Sequence, residues 1–216
     1  MPDDTVRITE IFYSLQGETS TVGLPMAFIR LTGCPLRCGY CDTEYAFHGG
    51  EKHTIAEILS QVAGFGASLV TVTGGEPLAQ PVCLELLRRL CDAGYRVSLE
   101  TSGALAIHEV DQRVAVILDL KTPGSGEVRR NHWENMSALK SGDEVKFVIC
   151  DRQDYDWARL QIDQRQLLER DVEILFSPSY SEISARTLAD WILEDKLAVR
   201  MQLQLHKQLW GDVPGK

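Results

Sequence analysis

Residues 69–103 read LVTVTGGEPLAQPVCLELLRRLCDAGYRVSLETSG, and this stretch indicates the architecture of the chain. The apolar run Leu69–Thr73 predicts a buried strand, and Pro81–Ala93 carries apolar residues at helical spacing until Gly94 ends it. A second apolar run, Arg96–Leu99, follows after a short turn. A strand, a helix and another strand in succession are typical of a parallel sheet with crossover helices.

The same alternation extends over most of the chain. Strands are predicted at Met26–Leu31, Leu69–Thr73, Arg96–Leu99, Val114–Leu118, Glu144–Ile149, Val172–Phe176 and Val199–Leu205. Helices are predicted from a capping box at Thr54 to about Val62, and at Pro81–Ala93, Tyr155–Leu168 and Ser184–Leu197. No repeat or linker divides the sequence, so we expect one α/β domain over residues 1–216. Polar residues follow several strands, and the carboxyl ends of parallel strands open on one face where ligands bind.

The composition is that of a globular protein, with 44% hydrophobic and 25% charged residues and a net charge of −9. An acidic chain lacks the excess of Lys and Arg on which sequence-independent nucleic-acid binding depends, so we expect no nucleic-acid partner. No apolar run approaches the roughly 20 residues of a membrane span, and the N-terminal sequence MPDDTVRITE has no signal-peptide pattern. These features predict a cytoplasmic protein that acts on a small molecule and has no membrane partner.

Residues 33–43 read GCPLRCGYCDT, in which Cys34, Cys38 and Cys41 form a C-x3-C-x2-C pattern. Three thiolates this close can hold one inorganic centre, and a chain without a signal sequence is expected in a compartment where disulfides are rare. An iron–sulfur cubane normally takes four cysteines, so three leave one iron open for reaction. A zinc site of three cysteines with His48 is an alternative, although this spacing matches no common zinc motif. Chance clustering of buried thiols is a third interpretation.

The cysteine pattern resembles the signature of the radical S-adenosylmethionine (SAM) enzymes, and Tyr40 stands at their usual aromatic position. Thr73-Gly74-Gly75-Glu76-Pro77 resembles the second signature of that superfamily, which follows the second strand of its barrel. The resemblance implies a partial (β/α) barrel with fewer helices than a complete one. It also implies a 4Fe–4S cluster on the three cysteines, whose open iron binds SAM. Reduction of the cluster would cleave SAM to a 5′-deoxyadenosyl radical that abstracts hydrogen from the substrate.

Further segments resemble one branch of that superfamily, the 7-carboxy-7-deazaguanine synthases. They are Ser14-Leu15-Gln16-Gly17-Glu18, Arg30 upstream of the cysteines, Cys41-Asp42-Thr43, Glu100-Thr101-Ser102-Gly103, and Leu205-His206-Lys207 with Pro214. Members of this branch convert 6-carboxy-5,6,7,8-tetrahydropterin to 7-carboxy-7-deazaguanine with loss of ammonia, on the route to queuosine and other 7-deazapurines. The resemblance implies this carbon–nitrogen lyase activity, with SAM regenerated after each turnover and with Mg2+ required.

The functional positions of the family map onto this chain in three groups. Substrate contacts are implied for Leu15, Gln16, Gly17, Glu18, Arg30, Thr73, His206 and Pro214, and the planar fork of Arg30 suits the pterin carboxylate. SAM contacts are implied for Tyr40, Asp42, Gly75, Glu76, Ser102, Asp119 and Lys121. Thr43 matches the position whose hydroxyl coordinates Mg2+, a cation that prefers oxygen ligands. The chain departs from the family at Asp119-Leu120-Lys121, where Ser-Pro-Lys is usual.

Two other functions remain as alternatives. A radical SAM activase that places a glycyl radical on a partner protein would share the cysteines and the Gly-Gly-Glu-Pro turn, but it would not need Arg30 or Thr43. A zinc or electron-transfer module without catalytic activity is the alternative from another class. The synthase interpretation also implies flavodoxin or ferredoxin as the electron donor, and a homodimer. Cys83, Cys91 and Cys150 fall in helix or strand patterns, so we expect them to be small core residues.

Overall fold

A computed structural model describes residues 4–180, 182–211, 213 and 215. The strands are β1 (Thr5–Leu15), β2 (Pro25–Leu31), β3 (Glu51–Thr54), β4 (Leu69–Gly74), β5 (Arg96–Thr101), β6 (Ala115–Leu120), β7 (Glu144–Ile149), β8 (Glu173–Pro178) and β9 (Arg200–Met201). The α-helices are α1 (Ile55–Gly64), α2 (Cys83–Asp92), α3 (Arg152–Gln164), α4 (Ala185–Glu194) and α5 (Leu205–Trp210). Among these described residues, no helix is both long and apolar enough to cross a membrane.

The strands form one sheet in the order β3-β1-β2-β4-β5-β6-β7-β8-β9. The sheet is parallel from β2 through β9, whereas β1 runs antiparallel to both β2 and β3. Among the described residues, the strands at the two ends of this order, β3 and β9, do not pair with each other, so the barrel is open. The partial α/β barrel predicted above is therefore confirmed, with two antiparallel strands added at one end.

The connections carry fewer helices than a complete barrel would have. Helix α2 joins β4 to β5, α3 joins β7 to β8, and α4 joins β8 to β9 at the far end of the sheet. Residues 102–114, all of which the structure describes, contain no helix, and only short 3-10 turns lie between β6 and β7. Buried Asn135 supports the 102–114 loop, because its amide donates to the carbonyls of Gly103 and Leu105 and accepts from the amide of Ile107. Side-chain hydrogen bonds thus satisfy backbone groups that a helix would have satisfied internally.

The helices lie where their apolar faces can be buried against the sheet. Thr54 and Glu57 form the predicted capping box at the start of α1, with both reciprocal hydrogen bonds present. On α2 the residues Cys83, Leu86, Leu87 and Leu90 are buried, as their spacing predicts. Burial of each such leucine contributes roughly 1.5–3 kcal/mol relative to exposure. This packing holds the ends of β4 and β5 in place for the site.

Six of the seven predicted strands are present within two residues of their predicted ends. The prediction of a strand over Val199–Leu205 was wrong, because only Arg200–Met201 pairs, and α5 begins at Leu205. This strand lies at the edge of the sheet, where β8 is its only described neighbour. Strand β1 was not predicted, and the register shift between Ile8 and Glu10 explains why its alternation is hard to see.

Helix boundaries also differ from the prediction, and α4 ends at Glu194 rather than at Leu197. Helix α3 begins at Arg152 rather than Tyr155, because the Asp151 side chain caps it by accepting from the amide of Asp154. It ends at Gln164, before Gln166 adopts a positive φ of 52°. Cys83 is buried as expected, whereas Cys91 and Cys150 are only half-buried.

Candidate active site

A cavity of about 690 Å³ opens at the carboxyl ends of the parallel strands. Its volume is within the range of sites that hold small molecules and cofactors. Its lining includes most of the residues that the sequence singled out: Leu15, Gln16, Gly17, Glu18, Arg30, Cys34, Cys38, Tyr40, Cys41, Asp42, Thr43, Thr73, Gly75, Ser102, Asp119, Lys121 and His206. Pro214 lies outside the described residues.

The three cysteines lie on one wall of this cavity. Cys34, Cys38 and Cys41 are free and half-buried, and the loop that carries them is tied down by a hydrogen bond of 3.0 Å from Gly39 N to Ser125 O. Burial raises the pKa of all three thiols, that of Cys38 to about 11. The thiols are therefore protonated at neutral pH in the free protein, and binding of a metal centre would release these protons.

The side chains do not converge as a site for a single ion would require. Within the described part of the chain, no three His, Cys, Asp or Glu side chains are placed to hold one metal ion. His48 is exposed and is not among the residues that line the cavity. The predicted alternative of a zinc site on the cysteines and His48 thus finds no support. A four-iron cluster takes its thiolates at separate irons, so it does not need them to meet at one point.

The Gly-Gly-Glu-Pro turn packs directly on the cysteine loop. Gly75 N donates to Leu31 O at 3.2 Å, and Glu76 N donates to Gly33 O at 2.8 Å. A Cβ atom at Gly75 would overlap the carbonyl oxygen of Gly33 and the Cβ of Cys34. Glycine is required here because the two backbones approach too closely for any side chain. The two motifs that the sequence separates by about 30 residues therefore form one wall.

Glu76 is the one described site residue that does not line the cavity. Its fully buried carboxylate accepts from the hydroxyl of Thr101, from both the amide and hydroxyl of Ser102, and from the amide of Leu78. The carboxylate is thus used to join the turn after β4 to the end of β5. A direct contact between Glu76 and SAM stays a prediction, and the side-chain contacts indicate a role in placing Ser102.

Asp119, Lys121 and Tyr40 form a polar group beside the cysteines. Lys121 Nζ lies 2.9 Å from Asp119 Oδ2 and 5.8 Å from the centre of the Tyr40 ring. Burial alone would lower the pKa of Lys121, but the negative groups around it, first Asp119, raise it well above the usual value. The hydroxyl of Tyr40 and Oδ1 of Asp119 are buried and have no hydrogen-bond partner among the described residues. Buried polar atoms without partners are uncommon, and here they face a cavity that can hold a polar ligand.

A second polar group lies deeper in the cavity, below the end of β5. Glu100 accepts from Gln16 Nε2 at 3.1 Å and from Thr73 Oγ1 at 3.0 Å. Glu18 forms an ion pair with the buried Lys146. Burial raises the pKa of Glu100, and the nearby charge of Glu18 raises it further. Two carboxylates thus face one ammonium group, which leaves this end of the cavity with an excess of hydrogen-bond acceptors.

Arg30, on β2, is held by Glu10 and Tyr45. Arg30 Nε donates to Glu10 Oε1 at 2.7 Å, and Tyr45 OH donates to the same oxygen at 2.8 Å. No hydrogen bond links the terminal nitrogens of Arg30 to another residue in the part of the chain described here. The guanidinium is therefore fixed through one edge, and its two terminal nitrogens are available to bind an anion.

The Cys-Asp-Thr segment meets the C-terminal helix at the mouth of the cavity. Asp42 Oδ1 accepts from Thr43 Oγ1 at 2.8 Å, while Oδ2 lies 3.0 Å from Lys207 Nζ. Burial would raise the pKa of Asp42, but Lys207 and the hydrogen bonds to the carboxylate lower it overall, so this group is ionised. His206 lies on α5 rather than at a strand end, and burial lowers its pKa. The imidazole therefore lines the cavity in its neutral form at physiological pH.

Several lining or supporting residues were missed by sequence reasoning: Glu10, Tyr45, Glu100, Lys146 and Gln204. Lys146 had a usable signal, because a lysine inside the otherwise buried run Glu144–Ile149 must have a partner. Glu100 stands in a segment that was compared with the family but received no role. Gln204 carries no local signal, since its partners are far away in the sequence.

The open barrel and the three-cysteine cavity define a radical SAM protein. In agreement, the profile of the Radical SAM superfamily matches residues 28–123. The 7-carboxy-7-deazaguanine synthase of Chlorobaculum tepidum is 46% identical to this chain, over 95% of this chain and 94% of that protein. The protein of the same name from Koribacter versatilis is 43% identical, over 95% of this chain and 97% of that protein. The chain belongs to the 7-carboxy-7-deazaguanine synthase family.

Solved structures support the fold. The crystal structure of QueE from Escherichia coli aligns with a TM-score of 0.74 at 23% identity, and covers 94% of this chain and 95% of that one. SuiB from Streptococcus suis aligns with a TM-score of 0.53 at 15% identity over 80% of this chain. The family membership implies a 4Fe–4S cluster and SAM, and the cysteine wall with its partnerless polar atoms fits both. These comparisons give the activase interpretation no better support.

Proposed function

We propose that this protein converts 6-carboxy-5,6,7,8-tetrahydropterin to 7-carboxy-7-deazaguanine with loss of ammonia, as a step in the biosynthesis of queuosine and other 7-deazapurines. One observation carries the proposal. A single cavity holds three cysteines on one wall, Arg30 on another, and the acceptor-rich group of Glu18 and Glu100 at its deep end. These features match, respectively, a cluster with SAM, a carboxylate, and the hydrogen-bond donors of an aminopyrimidinone ring.

The carboxylate of the pterin is assigned to Arg30. Its guanidinium offers two parallel N–H groups after Glu10 has engaged Nε, and such a fork binds a carboxylate in a bidentate manner. The Phe12 and Tyr45 rings each lie with their centres 5.9 Å from Arg30 Cζ and restrict its movement. The arrangement therefore sets the orientation of the substrate and also compensates the negative charge of its carboxylate.

The pyrimidinone edge of the pterin is assigned to the deep end of the cavity. A pterin presents its exocyclic amino group and its ring N3–H along this edge as donors, beside the C4 carbonyl, which is an acceptor. Glu18 and Glu100 supply carboxylate oxygens there, and Lys146 neutralises only one of the two charges. Gln16 is 2% exposed and holds the Glu18 amide and the Glu100 carboxylate together, so its amide organises the acceptors. Leu15, Gly17, Thr73 and His206 complete the lining on this side, and Pro214 stays a predicted contact.

The cofactor side is assigned to the cysteine wall. Cys34, Cys38 and Cys41 would hold the cluster, which with SAM supplies the radical that starts the reaction. We assign Tyr40 OH and Asp119 Oδ1 to SAM, because both are buried atoms in need of a hydrogen-bond partner. Asp119 stands where the family usually has serine, and its ion pair with Lys121 keeps Oδ1 directed away from the lysine. Gly75, Ser102 and Asp42 line the same region, and Glu76 is assigned to its support.

A Mg2+ site is assigned to Thr43. Its hydroxyl donates its proton to Asp42 Oδ1, so the lone pairs of Thr43 Oγ1 are left to accept or coordinate. Mg2+ is bound in proteins by few oxygen ligands together with waters and substrate oxygens. The cation would hold the substrate carboxylate in concert with Arg30.

Three further assignments rest on the family and on general chemistry. The electron donor would be flavodoxin or ferredoxin, and the half-buried cysteine loop supports electron entry from its outer side. The functional unit would be a single domain over residues 1–216 in a homodimer, and the continuous sheet from β3 to β9 supports the single domain. The compartment would be the cytoplasm, because six free cysteines are kept reduced there. Sedimentation of only monomer at micromolar concentration would contradict the homodimer.

The test is an anaerobic turnover assay on protein with a reconstituted cluster. SAM, Mg2+, dithionite and 6-carboxy-5,6,7,8-tetrahydropterin are supplied, and products are identified by mass spectrometry. We expect 7-carboxy-7-deazaguanine in excess of the SAM consumed. Formation of 5′-deoxyadenosine without that product would reject the substrate while keeping radical SAM chemistry. If neither compound forms on an intact cluster, the catalytic assignment is wrong.

A further inference from the structure

Two carboxylates from distant parts of the chain share one side-chain amide. Gln204 Nε2 donates to Glu18 Oε1 at 2.8 Å and to Asp42 Oδ2 at 3.1 Å. A primary amide nitrogen has two hydrogens, so each carboxylate receives one of them. Glu18 belongs to the deep, pterin-binding group proposed above, and Asp42 precedes Thr43. Gln204 thus links the two ends of the proposed substrate site.

The backbone around Gln204 is joined to the same two segments. Leu205 N donates to Gly17 O at 2.9 Å, and Lys207 Nζ lies 3.0 Å from Asp42 Oδ2. A Cβ atom at Gly17 would overlap the His206 imidazole, so the two segments are in direct contact. The position of Gln204 is therefore determined by contacts other than its own amide, and its side chain can act as a spacer of constant length.

The charges explain why an amide suits this position. Lys146 pairs with Glu18, and Lys207 pairs with Asp42. A neutral side chain with two donors can then join the carboxylates without adding charge. A carboxylate at this position would have no donor and would repel both neighbours, whereas an apolar side chain would leave each carboxylate short of one hydrogen bond.

We propose that Gln204 is a positioning residue that sets the distance between Glu18 and Asp42, and so joins pterin recognition to the binding of the divalent cation. The inference rests on the proposed function and deepens it. A substitution at either end should act directly on one ligand, Glu18→Gln on the pterin and Thr43→Ala on the cation. A substitution at Gln204 should disturb both, although Gln204 is not proposed to touch either.

The experiment uses the holoenzyme with its cluster and SAM, under anaerobic conditions. Gln204→Leu keeps the approximate size and removes both donors, and Gln204→Met is the second donor-free variant if the first does not load its cluster. We expect the KM for the carboxytetrahydropterin and the Mg2+ concentration at half-maximal rate each to rise about tenfold. A change of about tenfold corresponds to the free energy of one lost hydrogen bond to a charged group. The kcat at saturation and the Kd for SAM should stay within about twofold. Gln204→Glu should show larger increases of both constants.

Gln208→Ala is the matched control, because this glutamine is exposed one turn further along α5. It should leave all four quantities at wild-type values. If a donor-free variant at Gln204 changes only one of the two constants, or lowers kcat and SAM affinity while both constants stay unchanged, the proposal is overturned. Absence of pterin turnover by wild type on an intact cluster would instead overturn the proposed function, and this inference with it.

Discussion

Glu10 and Arg30 face each other across the antiparallel pair of β1 and β2, and their side chains form an ion pair of 2.7 Å. The two side chains are only 21% and 16% exposed, so the pair is largely shielded from solvent. Cross-strand neighbours are held at a fixed spacing by the sheet, which makes such a pair a precise orienting device. Glu10 thereby sets the direction in which the guanidinium fork meets a carboxylate.

Glu10→Gln should raise the KM for the carboxytetrahydropterin about tenfold, because a charged hydrogen bond that orients Arg30 is replaced by a neutral one. Arg30→Lys should have a larger effect, since the bidentate fork is lost. The check is steady-state kinetics, with Glu51→Gln on the exposed edge strand as the control. A tetrahydropterin without the carboxylate, measured as a competitive inhibitor, should bind all three variants and wild type alike. If the inhibition constant of this compound differs among the four proteins, Arg30 does not recognise the carboxylate.

Gly75→Ala should prevent stable loading of the cluster. The added methyl group would overlap backbone atoms of Gly33, which cannot rotate away as a side chain could. Gly64→Ala at the end of α1 is the control, because no atom lies within 4 Å of the added Cβ. That variant should be as stable as wild type or up to about 1 kcal/mol more stable. Iron content and unfolding temperature report both results, and normal iron content in Gly75→Ala would contradict the proposed contact between the motifs.

Cys38→Ala should lose the cluster and activity together, because two thiolates cannot retain a cubane centre. Cys91→Ala on the outer helix α2 should keep both, since this half-buried thiol is not part of the cavity lining. Iron and sulfide analysis after anaerobic reconstitution measures the outcome. We expect about four irons in wild type and in the control. One zinc per chain without sulfide in the wild type would contradict the cluster assignment.

Thr43→Ala should keep the cluster and weaken the dependence of the rate on Mg2+. The substitution removes the oxygen that is oriented by its hydrogen bond to Asp42. Thr43→Ser retains that oxygen and should restore the response. The measurement is a Mg2+ titration of turnover at saturating substrate, alongside the iron content. If the titration curves of Thr43→Ala and wild type coincide, Thr43 is not a ligand.

Glu100→Gln should stabilise the protein near neutral pH while it weakens pterin binding. Burial, with the charge of Glu18, raises the pKa of Glu100, against the opposing charge of Lys146 and the hydrogen bonds from Thr73 and Gln16. Arg30 adds a further positive charge nearby. Because the pKa of Glu100 is raised in the folded state, the unfolded chain releases this proton at a lower pH than the folded protein does. Stability is therefore lost as the pH rises from the usual glutamate pKa through the raised one.

The unfolding temperature of cluster-free protein, measured from pH 5 to pH 8, tests this sign. The advantage of Glu100→Gln over wild type should grow with pH across the window. Glu109→Gln, at an exposed position outside the cavity, should show no such trend. An advantage that shrinks as the pH rises would mean that Glu100 is stabilised in its charged form by Lys146.

Local sequence was enough for much of the sheet and for singling out the cysteine segment. Apolar runs such as Leu69–Thr73 and Glu144–Ile149 became strands because a strand buried on both faces needs an apolar residue at nearly every position. The proximity of Cys34, Cys38 and Cys41 needed no tertiary information, since thiols within eight residues are held close by the chain itself. Glycines at 74 and 75 were equally informative once they followed a predicted strand.

The supports of the site depended on packing between distant segments. Gln204 approaches Glu18 and Asp42 across separations of 186 and 162 residues, which no local pattern records. Lys146 reaches Glu18 across 128 residues, although its presence within an apolar strand was a sign that some partner existed. The C-terminal segment was assigned as a strand because Val199–Leu205 is rich in apolar residues, but only the open edge of the sheet shows how little of it can pair.

The chain's local chemistry therefore specified the alternating strands and helices, the cluster of three cysteines and the glycine turn beside them, because each depends on neighbours within a few residues. Three-dimensional packing decided that Glu10 orients Arg30, that Glu76 supports rather than lines the cavity, and that Gln204 links two carboxylates. Those relationships follow from strand register and from which segments meet at the open end of the barrel. The strand register and the meeting of these segments are set by burial summed over the whole sheet, and no short stretch of residues encodes that sum.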